Sequence, residues 1–277
     1  MTGTSAVPSP SPGSTHPMRM PVSVCIISGA EAGRIGRTLA SVSGWAAEIN
    51  VVLNEEVTDG TEEICRQHGA RIFREPWRGY IAQVNSAAAK ATQPWILGLD
   101  ADEVITPSLE AEICAVVNAA AEASQPVAYS MPRLSFYAGR WIRHGDWYPD
   151  RKIRLWRRGH GVWEGEDPHY HVVIRGAVGR FKGDIQHFSF ENLKHHVSKL
   201  QLYSDIYARD AGKAGRRPSM LDLIIRPPWR FLRGYFFRLG FLDGWQGFVI
   251  AWMSALLAFL KYAKLREASL KETRAGT

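Results

Sequence analysis

The chain has 277 residues, 45% hydrophobic and 22% charged, enough for one sizeable core or a core plus a small second unit. Its three cysteines, Cys25, Cys65 and Cys114, stand far apart without a Cys-x-x-Cys pair, which excludes a disulfide framework and predicts reduced thiols in a cytosolic compartment. The net charge of +7 is uneven: residues 191–277 hold 15 Lys+Arg against 7 Asp+Glu and the first 190 residues 19 against 20, so with no nucleic-acid motif in the chain the excess points to an anionic membrane surface or acceptor and away from nucleic acid.

Residues 1–20, rich in Ser, Pro, Thr and Gly and without the apolar core of a signal peptide, read as a disordered tail. A short apolar run predicts a buried strand over 22–28, and a helix over 35–42 follows Gly33 and Gly36. A second strand is expected over 48–53. Thr58-Asp59-Gly60-Thr61 then makes a turn into a helix that runs to His68. Strand 71–73, helix 80–92, strand 95–99 and a helix over 107–123 with Pro at its start complete the first half. Strands alternating with helices predict βα units on a mainly parallel sheet, whose ligands bind at the carboxyl ends of the strands. Ser28 to Glu31, Asn54 and the 100–102 segment occupy such ends.

After Ala128 the pattern changes to short strands, aromatics and Gly turns up to Phe190, expected as an antiparallel extension over the cleft. From residue 191 the chain is expected to be helical. Helical spacing over 229–239 puts Arg230 and Arg233 on one side and Leu232, Tyr235, Phe236 and Leu239 on the other. Residues 244–260 carry no charge but include Gln246, Ser254 and two glycines, and fall short of the roughly 20 apolar residues a spanning helix needs. Helices lying in the membrane interface are expected, with Trp229, Trp245 and Trp252 at headgroup level. The domain division is therefore a tail over 1–20, a catalytic domain over 21–190 and a basic, apolar helical segment over 191–277.

The most informative stretch is Trp95-Ile96-Leu97-Gly98-Leu99-Asp100-Ala101-Asp102-Glu103, an apolar strand that ends in three carboxylates. Buried carboxylates need a cation or donors. Residues i and i+2 of an extended segment point the same way, so Asp100 and Asp102 are expected to grip one hard divalent ion, Mg²⁺ or Mn²⁺, with positions open for substrate phosphates. A strand followed by a polar turn is the plainer reading of the same letters.

These residues resemble the family-2 glycosyltransferases of GT-A fold, a Rossmann-like sheet flanked by helices, here with an amphipathic helical extension. Within them the nearer resemblance is to lipopolysaccharide core glucosyltransferases of the β-1,4 type. It covers residues 21–265 and is carried by Val24-Cys25-Ile26-Ile27-Ser28 with Glu31, by Thr58-Asp59-Gly60-Thr61, by Gln83 and Asn85 after Gly79-Tyr80, and by Leu99-Asp100-Ala101-Asp102-Glu103. Gly139-Arg140-Trp141-Ile142-Arg143-His144-Gly145, Trp147-Tyr148-Pro149-Asp150, Arg154-Leu155-Trp156-Arg157-Arg158-Gly159 and Gly240-Phe241-Leu242-Asp243-Gly244 continue it. Four positions depart from the family pattern: Ala30 for Asn, Asn54 for the Asp that binds uracil, Val84 for Lys, and Tyr170 for an acid.

The resemblance implies inverting transfer of a hexose, most simply glucose from UDP-glucose, to a lipid-linked or lipopolysaccharide-core saccharide at the cytoplasmic side of the inner membrane. A polyprenyl phosphate acceptor, or a degenerate sugar-nucleotide-binding protein without turnover, are its rivals. It assigns Ser28, Glu31, Asn54, Asp59, Gln83, Asn85, Asp100 and Arg154 to the nucleotide-sugar donor, Asp100 and Asp102 to the metal with His187 as a late ligand, and Asp167 or Glu166 to the base. Plainer roles stand beside these: helix capping for Glu31 and Asp59, a solvated face for Arg151, Arg154 and Arg157, a structural role for His187, exposure for His195 and His196, and core packing rather than sugar stacking for Trp141, Trp147 and Trp163.

Overall fold

The computed structural model describes residues 19–119, 125–166, 169–190 and 192–275. The first half forms β1 (Met20–Ser28), α1 (Ile35–Ala40), β2 (Ala46–Asn54), α2 (Thr61–Gln67), β3 (Arg71–Glu75), α3 (Tyr80–Ala89), β4 (Trp95–Asp100), β5 (Glu103–Ile105) and α4 (Pro107–Asn118). The second half forms β6 (Ala128–Tyr137), β7 (Arg140–Ile142), β8 (Asp150–Arg157), β9 (Gly161–Glu166), β10 (His169–Ile174), β11 (Val178–Arg180), β12 (Ile185–His187), and the helices α5 (Leu193–Lys213), α6 (Met220–Leu232) and α7 (Gly244–Ala275).

The main sheet runs β3-β2-β1-β4-β8-β6-β12-β5. Its first four strands are parallel, and β8 joins them antiparallel to β4. Apolar runs such as Val22, Val24 and Ile26 are wholly buried because helices cover both faces of a parallel sheet. On one face Ile35, Leu39, Leu109 and Ile113 pack against β1, β2 and β4. On the other, Val84 and Ala87 of α3 meet Trp156, Trp163 and Val172. The expected βα order holds, and the architecture is the GT-A mixed α/β fold with a long C-terminal helix. The fourth helix is shorter than the predicted 107–123: Thr106 caps it, Pro107 opens it, and it stops at Asn118. Most of the antiparallel extension does not lie over the sheet but continues it, through β6 and β8, while only β9 and β10 form a separate hairpin.

The C-terminal helices pack on this core. A turn at Gly145–Trp147 meets the segment from Gly234 to Gly240, where Gly145 N–H donates to the Arg238 carbonyl at 2.8 Å. A Cβ at Gly240 would lie 2.6 Å from the Gly234 carbonyl oxygen, so only glycine permits this approach. Asp243, almost fully buried, accepts from the backbone N–H groups of Arg143 (3.0 Å) and His144 (2.7 Å) and fastens the same corner.

Candidate active site

A cleft of about 1120 Å³ opens at the carboxyl ends of β1 and β4. Ser28, Gly29, Glu31, Asp100 and Asp102 line its floor, Arg133 and Arg154 one wall, and Trp163, Tyr170 and His171 of the β9–β10 hairpin another. The far wall comes from the C-terminal third: His196, Lys199 and Tyr203 of α5, and Ser254 and Leu257 of α7.

The two carboxylates of the 100–102 pair part company. Asp100 is the last residue of β4, and a turn follows before β5 starts at Glu103. Asp100 is hydrogen-bonded and ion-paired to Arg154, whose guanidinium also reaches Glu103 Oε1 at 2.7 Å. Glu103 is fully buried; its Oε2 accepts the Asp100 N–H at 3.1 Å, and Arg133 lies 3.5 Å from its Oε1. Arg154, 5% exposed, is therefore paired twice in the interior, while burial alone would oppose its charge. Asp102 instead faces His187, with Oδ2 to Nε2 at 3.5 Å. Burial raises the Asp102 pKa, but the hydrogen bond and charge of His187 and the nearby Arg34 and Lys199 hold it down at about 2. The sheet fixes this pair, because β12 is antiparallel to β5 with His187 opposite Glu103.

Among the described residues no group of three or more His, Cys, Asp or Glu side chains converges on a metal position. The donor chemistry of Asp102 and His187 nonetheless fits a divalent cation. The carboxylate stays ionised, the imidazole Nδ1 is buried without a hydrogen-bond partner, and the cleft leaves room for phosphate oxygens to complete a coordination shell.

The other predicted donor residues are spread more widely. Ser28 and Glu31 line the cleft, and Glu31 pairs with Arg34 at 2.7 Å. Asp59 ties two loops together: its Oδ2 accepts the Ala32 N–H at 3.1 Å and its Oδ1 the Thr61 N–H at 3.1 Å, while Thr61 Oγ1 accepts from Glu31 N–H at 2.9 Å. Asn54 ends β2 and accepts from Glu56 N–H at 3.3 Å, away from the cleft lining. Gln83 is buried and donates to the Pro76 carbonyl at 3.3 Å. Asn85 pairs with both backbone groups of Trp163, at 2.9 and 3.0 Å, and so seats the hairpin on α3.

Asp167 lies outside the described residues. Glu166 ends β9 and is exposed, with His169 as its cross-strand neighbour. Of the basic run, Arg151 donates to the carbonyls of Ser130 (2.9 Å) and Phe181 (2.6 Å) and Arg157 stacks 4.7 Å over Trp95, so only Arg154 meets the acidic turn. Trp163 is buried in the core, edge-on to Trp156, and its face also meets Arg154 at 5.7 Å.

The exposure expected of His195 and His196 does not hold, and His195 is half-buried. His196 is not exposed but 4% accessible, with Nδ1 2.9 Å from the Tyr137 hydroxyl, and it packs among Trp147 and Phe190. It shares a helix stripe with Leu200, Ser204 and Ala208, the 3.6-residue spacing that the polar look of the segment concealed. Burial, then the charges of Lys199 and His195, push its pKa down to about 4. The unfolded chain therefore takes up this proton before the native state does. Stability from this site is complete above about pH 6.5 and is lost as pH falls from there towards 4. Urea midpoints measured across that window should fall with acidification, and His196→Gln should flatten the slope; an unaltered slope would rule out this source.

Lys199, like Arg133, is a cleft residue missed in the sequence. It donates to the Ser189 carbonyl at 3.2 Å and lies close enough to Asp102 and Glu31 for their charges to act on it. Trp77 and Tyr80, both partly exposed, add an aromatic edge, with Tyr80 stacked on Tyr170 at 5.8 Å.

A charged turn at the carboxyl end of a central strand, opening into a cleft lined by cations, is where an α/β sheet of this kind binds its ligands. The chain belongs to glycosyl transferase family 2, whose model matches residues 23–181. It is similar to an uncharacterized glycosyltransferase of Rickettsia typhi, with 32% identity covering 90% of this chain and 88% of that protein. It is also similar to the lipopolysaccharide core biosynthesis glycosyltransferase LpsC of Rhizobium meliloti, with 30% identity covering 92% of this chain and 96% of the relative. Among solved structures it resembles the mannosyltransferase PcManGT from Pyrobaculum calidifontis in complex with GDP-Man and Mn²⁺, at 17% identity and a TM-score of 0.46, covering 94% of this chain and 81% of that one.

Proposed function

We propose that this chain is an inverting, metal-dependent glycosyltransferase that moves a hexose, most simply glucose from UDP-glucose, onto a lipid-linked saccharide of the lipopolysaccharide core. The observation that carries the reading is the pairing of Asp102 and His187 in a cleft that Lys199 and Arg154 also line. A sugar nucleotide entering along Ser28 and Glu31 brings its diphosphate to these groups. A divalent cation held by Asp102 and His187 would neutralise charge on the departing diphosphate.

In the reaction the acceptor hydroxyl oxygen bonds to the anomeric carbon from the face opposite the diphosphate. The bond from that carbon to the phosphate oxygen breaks, and the electron pair leaves with the nucleoside diphosphate. The hydroxyl proton passes to a carboxylate. Asp150 lines the cleft, yet burial is outweighed there by Arg133 and Lys152, which hold its carboxyl below the usual range and make it a poor acceptor of protons. The family resemblance leaves the base to Glu166, at the end of β9, or to Asp167, which lies outside the described residues. Lys199 and Arg154 orient the donor and offset its charge.

The relation to LpsC supports an acceptor of the lipopolysaccharide core. A membrane site is supported by the outward face of the C-terminal helices. Trp245, Phe248, Trp252, Leu256 and Phe259 form one exposed stripe along α7, while Ile250, Ala251 and Ala255 are buried on the protein side. The segment Gly240–Leu270 is long and apolar enough to cross a bilayer. A helix with one face sealed against its own protein is better suited to lie in the cytoplasmic interface of the inner membrane, where anionic lipids meet the basic third. A thermal-shift screen of nucleotide sugars with and without Mn²⁺ tests the donor. A UDP-hexose should stabilise the protein more strongly when Mn²⁺ is present. Equal shifts for every nucleotide, or none, would refute the assignment.

A further inference from the structure

Where the cleft meets the C-terminal segment, one buried carboxylate gathers an unbalanced set of cations. Asp146 lines the cleft, and its side chain is 6% exposed. Around it stand Arg230 Nε at 3.4 Å, Arg233 at 3.2 Å and Arg238 Nε at 3.4 Å. Neither carboxylate oxygen has a hydrogen-bond partner of good geometry, so the contacts are ion pairs that leave most guanidinium N–H groups uncommitted. Lys261 of α7 is near enough for the Arg230 charge to act on its ammonium. Three guanidinium groups facing one carboxylate leave a surplus of two positive charges.

This arrangement is built rather than a scatter of surface arginines. The Gly145–Trp147 turn, the Gly234 backbone and Gly240 approach so closely that a Cβ at Gly240 would strike the Gly234 carbonyl oxygen at 2.6 Å. That contact, with the Gly145-to-Arg238 backbone hydrogen bond, fixes Arg233 and Arg238 against Asp146. The three arginines reach Asp146 with side chains still 36–47% exposed, and Trp229, Leu232, Phe236 and Phe237 of the same segment are exposed beside them. Asp146 thus joins an accessible cationic cluster to the cleft, with exposed apolar residues next to it.

The geometry points to a binding site for a phosphate monoester carried by the lipid acceptor, held by Arg230, Arg233 and Arg238 at the mouth of the cleft. Such a group carries about −1.5 to −2 charge at neutral pH, which matches the surplus, and its oxygens suit guanidinium forks. The exposed apolar residues beside it would face the lipid chains. The inference rests on the lipid-linked acceptor proposed above.

Phosphatidic acid, with its exposed monoester, is the probe, and phosphatidylglycerol, a diester, is the comparison. Binding of the full chain to phosphatidylcholine vesicles doped with one or the other is measured with UDP present to fill the donor site. Arg230→Gln, Arg233→Gln and Arg238→Gln should each weaken binding to the phosphatidic acid vesicles by about tenfold. Binding to the phosphatidylglycerol vesicles should hardly change. Arg233→Lys, which keeps charge but loses the fork, should fall between. With the unaltered protein, inorganic phosphate should displace phosphatidic acid vesicles better than chloride at equal ionic strength. Equal losses on both vesicle types, or no competition by phosphate, would overturn the site and leave only diffuse attraction to anionic lipid. The nucleotide-sugar thermal shift separates the two readings: arginine-dependent phosphatidic acid binding without any donor response would refute the transferase assignment alone.

Discussion

Asp102→Asn should lower transfer by about 10³-fold or more, and its melting temperature without Mn²⁺ should fall less than that of Glu103→Ala. The side chain keeps its size but loses the charge that faces His187, and a cation that stabilises a leaving diphosphate contributes several kcal/mol, with each 1.4 kcal/mol worth about tenfold in rate. The Mn²⁺-dependent part of the thermal shift should vanish with it. His187→Ala should reproduce the loss of the Mn²⁺ shift in weaker form, because one oxygen donor remains. Turnover of Asp102→Asn within a few-fold of the parent would refute the assignment, whatever became of the thermal shift.

Glu103→Ala should be the most damaging single change to stability. Glu103 is fully buried and accepts from Arg154 and the Asp100 N–H, with Arg133 close by. Its removal leaves Arg154 buried with only one partner and Arg133 dependent on Asp150. Breaking a buried pair in this way costs about 3–5 kcal/mol, which for a chain of this size lowers the melting temperature by on the order of 10 °C. The contrast with Asp102→Asn is the informative part. Two carboxylates adjacent in sequence should separate cleanly, one governing turnover and the other folding. A Glu103→Ala protein that melts with the parent would show that the arginines find other partners.

Much of this was legible in the letters. The parallel half is readable because strands covered on both faces are continuous apolar runs, as in Val22 to Ile27 and Trp95 to Leu99, and helices fill the intervals between them. The acidic cluster was readable as a site but not in its division of labour. Which carboxylate faces His187 and which faces an arginine depends on β8 and β12, strands some 50 and 80 residues away in sequence. Arg133 and Lys199 stayed invisible for the same reason, since neither belongs to a local motif. The change in composition after residue 190 does not tell which face a helix turns to its neighbour. His196, Lys199, Ser254 and Leu257 all come from beyond it and all line the cleft.

That shared wall makes α7 a two-sided element. Ser254 and Leu257 look into the cleft, and Trp252 and Phe259, within a turn or so, look out. If the outer stripe rests in lipid as proposed, the bilayer is a mechanical component of the catalyst. Lateral pressure, acyl-chain length and the detergent chosen for purification would then set the shape of the reaction chamber, and specific activity would become a property of protein and solubilising medium together.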